Sequence, residues 1–360
     1  MTNLNVQHKQ IQQAIALLQQ ALAEDERRNN LQGKAEKLHQ LAILKANQGL
    51  SEDAIALYKQ CQNFYQQIGD LEGIATVLYQ VAILKTNQGN TEESVALFEE
   101  SLQVAQSIDD RETKAAILHS LAMIKANQGE VVEAISMCEE SISLKAQLGD
   151  VQGKAATLHQ LAILKGNQGN LEEAIALFEE SLALKESLND RQGKATTLHC
   201  LAVVYTELCQ IETAINLYHQ SLAIKESIGD IQGKAATLHQ LGELSSQLNR
   251  TEDAINFYRQ SLQIKEQSSD IQSKAVTMGM LGQLLATQGN FADALIYLEQ
   301  TLEIFEQIKS AQVETIREII VDVEQMQKLN PSPNFAPKTS NFLTEKRLGE
   351  MPKKWRWFDK

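Results

Sequence analysis

Proline is almost missing from this chain: four occur in 360 residues, and three of them, Pro331, Pro333 and Pro337, crowd one short stretch. Nothing before residue 331 contains the strongest helix breaker, so that whole span is free to be helical. Aromatic residues are scarce at 5% while 43% of the chain is hydrophobic, a composition of many small aliphatic contacts instead of one deep aromatic core. Long apolar runs are lacking too, and the opening MTNLNVQHKQ has no basic segment followed by an apolar one. These absences argue against a spanning helix and a secretory leader, and the expected location is the cytoplasm.

Cysteine is limited to Cys61, Cys138, Cys200 and Cys209, with no C-x-x-C pair, so all four are expected to be reduced and structural. Catalytic signatures are missing as well: no P-loop, no G-x-S-x-G and no H-E-x-x-H occurs, and the expectation is a non-enzyme without cofactor. Net charge is −13, but residues 331–360 hold seven Lys/Arg against three Asp/Glu, so the body is the acidic part. An acidic body is a poor match for nucleic acid, whose phosphates need clustered Lys/Arg.

What the chain has in quantity is repetition. His39, Tyr79, His119, His159, His199, His239 and Gly279 fall at one position of a 40-residue unit. In the clearest copy, Gly149 to Leu188, residues Ala155, Leu158, Leu161, Ala162 and Lys165 lie three and four apart, one stripe of a helix A over about 151–167. Asn167-Gln168-Gly169 ends it, because glycine takes the left-handed conformation that terminates helices. Helix B starts near Leu171, with Glu172 and Glu173 in its first turn, and is expected to bury Ala174, Ile175, Phe178, Ser181 and Leu182. Asp70, Asp110, Asp150, Asp190, Asp230 and Asp270 recur where each helix A needs an N-cap.

One such hairpin cannot stabilise itself, so the copies must stack, each pair covering the apolar face of the next. The pattern L-x-x-L-A-x(6)-G-x(4)-A-x(3)-F-x-x-S-L, read at Leu158, Leu161, Ala162, Gly169, Ala174, Phe178, Ser181 and Leu182, resembles the tetratricopeptide repeat family. The long helix B and the G-D-x-x-G-x-A junction look like the 40-residue subtype of bacterial scaffolds and of the spindle-orientation adaptor family. That resemblance implies an all-α, right-handed superhelical solenoid of about seven repeats, with a half-repeat at the N-terminus and a C-terminal capping helix. The chain departs from the family pattern where Cys209 and Asn249 replace the turn glycine, and less regular turns are expected there.

The expected organisation is a half-repeat over residues 1–30, seven repeats over 31–309, a capping helix over 310–330 carrying Val313, Ile316, Ile319, Ile320, Val323 and Met326, and a flexible basic and aromatic tail over 331–360. In the tail, Trp355, Trp357 and Phe358 beside Lys353, Lys354 and Arg356 are candidate anchors for a groove or an anionic membrane, against the plainer reading of a solvated end.

Opposite the core stripe, helix A carries three ladders: His39, His119, His159, His199 and His239; Ile43, Ile83, Met123, Ile163 and Val203; and Asn47, Asn87, Asn127 and Asn167. In the resembling family these positions line the groove that holds an extended peptide. A row of asparagines can pair with the backbone of any extended segment; equally, each can simply close its helix. The histidines belong to helices whose axes lie about 8–10 Å apart, too far to share a metal bound at about 2.0–2.1 Å, so no metal site is expected. The lysine ladder Lys45, Lys85, Lys125 and Lys165 either lays its stems on the core and reaches helix B carboxylates or binds an acidic peptide. The expected function is a scaffold or adaptor holding an extended or helical segment of a partner protein in a concave groove. A peptide-responsive regulator and an adaptor tethered to a membrane by its tail are the alternatives, and the oligomeric state is left open.

Overall fold

A computed structural model describes residues 2–267 and 270–329, and among them it holds sixteen α-helices and no strand. The chain divides into two compact units, residues 1–164 and 165–360. The first contains α1 (Thr2–Arg28), α2 (Leu31–Asn47), α3 (Ser51–Ile68), α4 (Leu71–Asn87), α5 (Thr91–Ser107), α6 (Arg111–Gln128), α7 (Val131–Leu148) and most of α8 (Val151–Asn167). The second contains α9 (Leu171–Ser187), α10 (Arg191–Glu207), α11 (Ile211–Ile228), α12 (Ile231–Gln247), α13 (Thr251–Lys265), α14 (Ile271–Thr287), α15 (Phe291–Gln307) and α16 (Val313–Leu329). Even-numbered helices up to α14 are copies of helix A, and odd-numbered ones are copies of helix B. No described helix is long and apolar enough to cross a membrane.

Within each unit a helix packs chiefly on the helices before and after it in sequence, the local pattern of a repeat solenoid. In the first unit Ala35, Leu38, Ala42, Ala54, Tyr58 and Leu78 make one such core, and Ala75, Ala82, Phe98, Ile117 and Leu121 make the next. In the second, Ala202, Ala214, Tyr218, Leu241 and Leu244 repeat the arrangement. Burying a phenylalanine or leucine at these sites contributes about 1.5–3 kcal/mol each. Ile316, Ile319 and Val323 of α16 are buried and complete the core of α13 to α15.

The serine of each F-x-x-S step has a packing role. Ser101, Ser141, Ser221 and Ser261 are buried and donate to the carbonyls of Ala75, Ala115, Ala195 and Ala235 at 2.6–2.8 Å, pinning helix B to the helix A before it.

The two helix types start differently. Every helix A from α4 to α14 has its aspartate cap in place: the Oδ1 atoms of Asp70, Asp110, Asp150, Asp190, Asp230 and Asp270 accept from the backbone N–H three residues on, at 2.8–3.0 Å. Asn30 does the same for α2. The helices α3, α5, α9 and α13 have no side-chain cap and rely on paired acidic residues in the first turn, such as Glu92 and Glu93, which the helix dipole favours.

The turns at Cys209 and Asn249 are as regular as the glycine turns, contrary to the expectation. Both residues are left-handed, with φ of 58° and 57°. Their turns close with the same bonds: Gln210 N–H donates to the Tyr205 carbonyl at 2.9 Å and Arg250 N–H to the Ser245 carbonyl at 2.8 Å, as Leu50 N–H does to that of Lys45 at 3.0 Å. Two backbone bonds hold the turn, and they impose the conformation on residues that enter it less readily than glycine.

Candidate functional site

Each helix A turns its ladder residues the same way, because positions four apart share a face. In the first unit, His39, Ile83, His119 and His159 are half-buried, Asn47, Asn87 and Asn127 are exposed, and Ile43 and Met123 are open at 38% and 43%. Ile163 is buried at 5% and presents little surface. In the second unit Asn167 is exposed and His199 half-buried, while Val203 and His239 are buried at 9% and 8%. Trp355, Trp357 and Phe358 lie outside the described residues.

Among the described residues none hydrogen-bonds the side-chain amide of Asn47, Asn87, Asn127 or Asn167. The left-handed residues that end these helices are Gly49, Gly89, Gly129 and Gly169, two positions further on. The amides are therefore exposed donors and acceptors, and the turn glycine closes the helix without them.

The histidine column is wired into the fold. Thr157 Oγ1 donates its one proton to the Gly153 carbonyl at 2.9 Å. Its lone pairs then accept from Lys145 Nζ at 2.8 Å and face His119 Nδ1 at 3.1 Å. Since the hydroxyl proton is committed, the imidazole must be the donor, with its hydrogen on Nδ1. In the second unit Lys225, Thr237 and His199 repeat the chain at 2.9 and 3.1 Å, and Lys265, Thr277 and His239 at 2.9 and 3.0 Å. Burial, then the neighbouring Lys145, lowers the His119 pKa to about 4. Burial, then Lys225 or Lys265, takes His199 and His239 to about 3. All three are neutral at neutral pH.

Lys145, Lys185 and Lys225 are themselves buried, and desolvation lowers their pKa against the pull of Asp150, Asp190 and Asp230. Sequence reading missed this column because a lysine late in helix B looks like a solvated end. A signal existed: the repeats with Tyr65 and Ala105 at the lysine position have Val77 and Ile117 at the threonine position, so the two columns change together.

The lysine ladder of helix A is paired within the fold. Lys45 reaches Asp53 at 3.4 Å, Lys85 reaches Glu93 at 2.9 Å, Lys125 reaches Glu130 and Glu133 at 2.7 and 3.3 Å, and Lys165 reaches Glu173 at 2.9 Å. Of the two readings, the one reaching helix B carboxylates is what the structure places there. Among the described residues no three His, Cys, Asp or Glu side chains are grouped to hold a metal ion. The four cysteines are free; Cys61 and Cys138 are buried and Cys209 is exposed.

A family model described as tetratricopeptide repeat matches residues 33–107, 113–187 and 193–267, and a second model of the same description matches 275–308. No curated protein matches the chain. BtubC (BKLC) from P. vanneervenii is similar in structure at a TM-score of 0.55 and 19% identity, over 61% of this chain and 92% of that one. The signal transduction ATPase with numerous domains from Pyrococcus horikoshii, a protein with a tetratricopeptide repeat sensor, is similar at 0.69 and 15% identity, over 85% of this chain and 46% of its own. Aspartyl phosphate phosphatase F from Bacillus subtilis is similar at 0.58 and 14% identity, over 79% and 73%. At such identities the likeness concerns the fold alone. Repeats of this type are generally protein-interaction scaffolds, typically without catalysis. With family models matching four blocks between residues 33 and 308, on helix pairs that repeat every forty residues, this chain belongs to the tetratricopeptide repeat family.

Proposed function

We propose that the chain is a non-catalytic scaffold or adaptor, working in the cytoplasm, that holds an extended or helical segment of a partner protein against the ladder face of its A helices. The observation that carries the reading is the asparagine column: Asn47, Asn87 and Asn127 are exposed, and their amides have no hydrogen-bond partner among the described residues. Beside them Ile43, Ile83 and Met123 offer apolar surface. Amides that both donate and accept suit a peptide backbone of any sequence, and the apolar column suits its side chains. In the first unit His39 and His119 are held toward the neutral form by burial and the ladder lysines Lys45, Lys85 and Lys125 are paired with acidic residues, which favours backbone and apolar recognition over charge.

The test is capture of partners by the full chain against Ile83→Glu with Asn87→Ala and Asn127→Ala. All three residues are half-buried or exposed, so helicity and melting should be retained while capture is lost. Undiminished capture by the triple variant would remove this face from consideration as the binding site.

A further inference from the structure

The histidine rungs of the first unit are not equivalent. His119 of α6 has Thr157 of α8 beside its Nδ1 at 3.1 Å, whereas His39 of α2 has Val77 at the threonine position and so no hydroxyl there. Thr157 is fully buried, and its Oγ1 accepts from Lys145 Nζ of α7 at 2.8 Å and donates to the Gly153 carbonyl at 2.9 Å. The His119 proton is thereby fixed on Nδ1, and Nε2 keeps a bare lone pair.

A second observation is where that lone pair lies. Nε2 of His119 has no hydrogen-bond partner among the described residues and is not one of the buried side-chain atoms left unpartnered, so on this half-buried ring it is open to the ladder face. Met123, 43% exposed, and the exposed Asn127 follow four and eight residues on along the same face. A bare acceptor suits a donor and repels a carboxylate, which has only acceptors. A cationic donor is disfavoured as well, because burial and the neighbouring Lys145 ammonium both act against positive charge at this ring. What remains is an uncharged donor.

We infer that His119 is a specificity-determining residue of the ladder face: its Nε2 accepts a hydrogen bond from an uncharged side-chain donor of the bound segment, a hydroxyl, amide or indole N–H, and Lys145 and Thr157 are positioning residues that keep this nitrogen bare. The inference rests on the scaffold reading above and adds the chemistry of one rung. The asparagines and the apolar column accept any extended segment, and the fixed acceptor at His119 selects among segments and sets their position. His39, without a threonine behind it, imposes no such rule.

The experiment has two readouts on the full chain. Nitrogen NMR of the isotopically labelled protein at neutral pH should place the His119 proton on Nδ1, and in Lys145→Met with Thr157→Val it should move to Nε2. Selection of random dodecapeptides by the immobilised protein, with sequencing of what is retained, should enrich Ser, Thr, Asn, Gln or Trp at one position by about fivefold over input, the size of one hydrogen bond, and deplete Asp and Glu there. The double variant should retain peptides but admit Asp and Glu at that position, and His119→Phe should show no preference. Ala105 with Ile117 and Tyr79 occupy the equivalent places one repeat earlier, so both variants are expected to fold, which a melting curve checks; if the double variant does not fold, His119→Phe decides alone. A wild-type proton on Nε2, peptides retained without the donor preference, or a preference unchanged in His119→Phe overturns the inference and leaves the scaffold reading standing. A lost preference in the double variant with the proton still on Nδ1 overturns the positioning role of Lys145 and Thr157. Retention of no peptide by the wild type overturns both readings. Retention lost in Ile83→Glu with Asn87→Ala and Asn127→Ala, but kept without the donor preference in His119→Phe, supports both.

Discussion

Lys145 Nζ lies 2.8 Å from Thr157 Oγ1 in the interior of the first unit, where the preceding repeats put Ala105 against Ile117. A charged donor and a neutral acceptor thus occupy a site that the same fold also fills with hydrocarbon. Thr157→Val leaves the ammonium only its long bond to the Gly153 carbonyl at 3.4 Å and strands the His119 N–H, and is expected to cost about 1.5–3 kcal/mol. Lys145→Met combined with Thr157→Val removes both ends of the Lys145–Thr157 pair and should recover much of that loss. Urea denaturation of the two single variants and the double variant measures the coupling; additive losses would mean the pair is not a unit.

Acid should weaken the fold through the histidines before it reaches the carboxylates. The pKa values of His119, His199 and His239 are lowered in the folded chain to about 4, 3 and 3, against about 6.5 unfolded. The unfolded chain therefore binds more protons between these limits, so this stability is fully present above about pH 6.5 and declines as pH falls toward 4. Melting temperature followed from pH 7 to 5 should drop, and a variant with all three histidines changed to glutamine should show a flatter line. An equal slope in both proteins would rule the histidines out as its cause.

The helix A caps predict a chemical discrimination. Asp230→Ala removes the acceptor for Gly233 N–H, 2.8 Å away, and should cost about 0.5–2 kcal/mol. Asp230→Asn should cost less than Asp230→Ala, because Asn30 already caps α2 in the same way, although it removes the carboxylate that favours the charged form of the buried Lys225. Chemical denaturation separates the two; equal losses would show that charge, not capping, matters there.

The paired lysine ladder should be dispensable for binding. Lys45→Met, Lys85→Met and Lys125→Met together remove side chains whose ion pairs are worth about 0–1 kcal/mol each. Capture by the triple variant should equal that of the wild type. A clear loss would restore these lysines as contacts for an acidic partner.

At the left-handed turns, Cys209→Gly should stabilise the chain by about 1 kcal/mol, since glycine has no Cβ to strain φ of 58°. Asn249→Gly should change less, because asparagine tolerates that region. Thermal melts of both variants check the difference.

Much of this architecture is legible in the residues because its rules are local. Gly69 and Gly149, each followed by its aspartate cap, mark helix junctions one by one, and the structure puts α8 at Val151–Asn167, the span expected. What was not legible depends on neighbours one repeat away. Lys225 looks like a surface charge until Thr237, twelve residues on, is seen to meet it in the interior. Ile163 and Val203 read as wall residues like Ile43, yet their surroundings bury them. Cys209 was expected to disturb its turn, but the turn is held by Gln210 N–H and the Tyr205 carbonyl, which no side-chain rule reveals.

Because helices in each unit lean chiefly on their sequence neighbours, neither unit has a distant clasp to break among the described residues. A steady pull on such a chain should release it in successive yields, each freeing one forty-residue copy, or about 130–145 Å of slack. Copies secured by the buried ammonium and hydroxyl should give way at a different tension from those secured by hydrocarbon alone, leaving a mechanical signature of where along the array the interior turns polar.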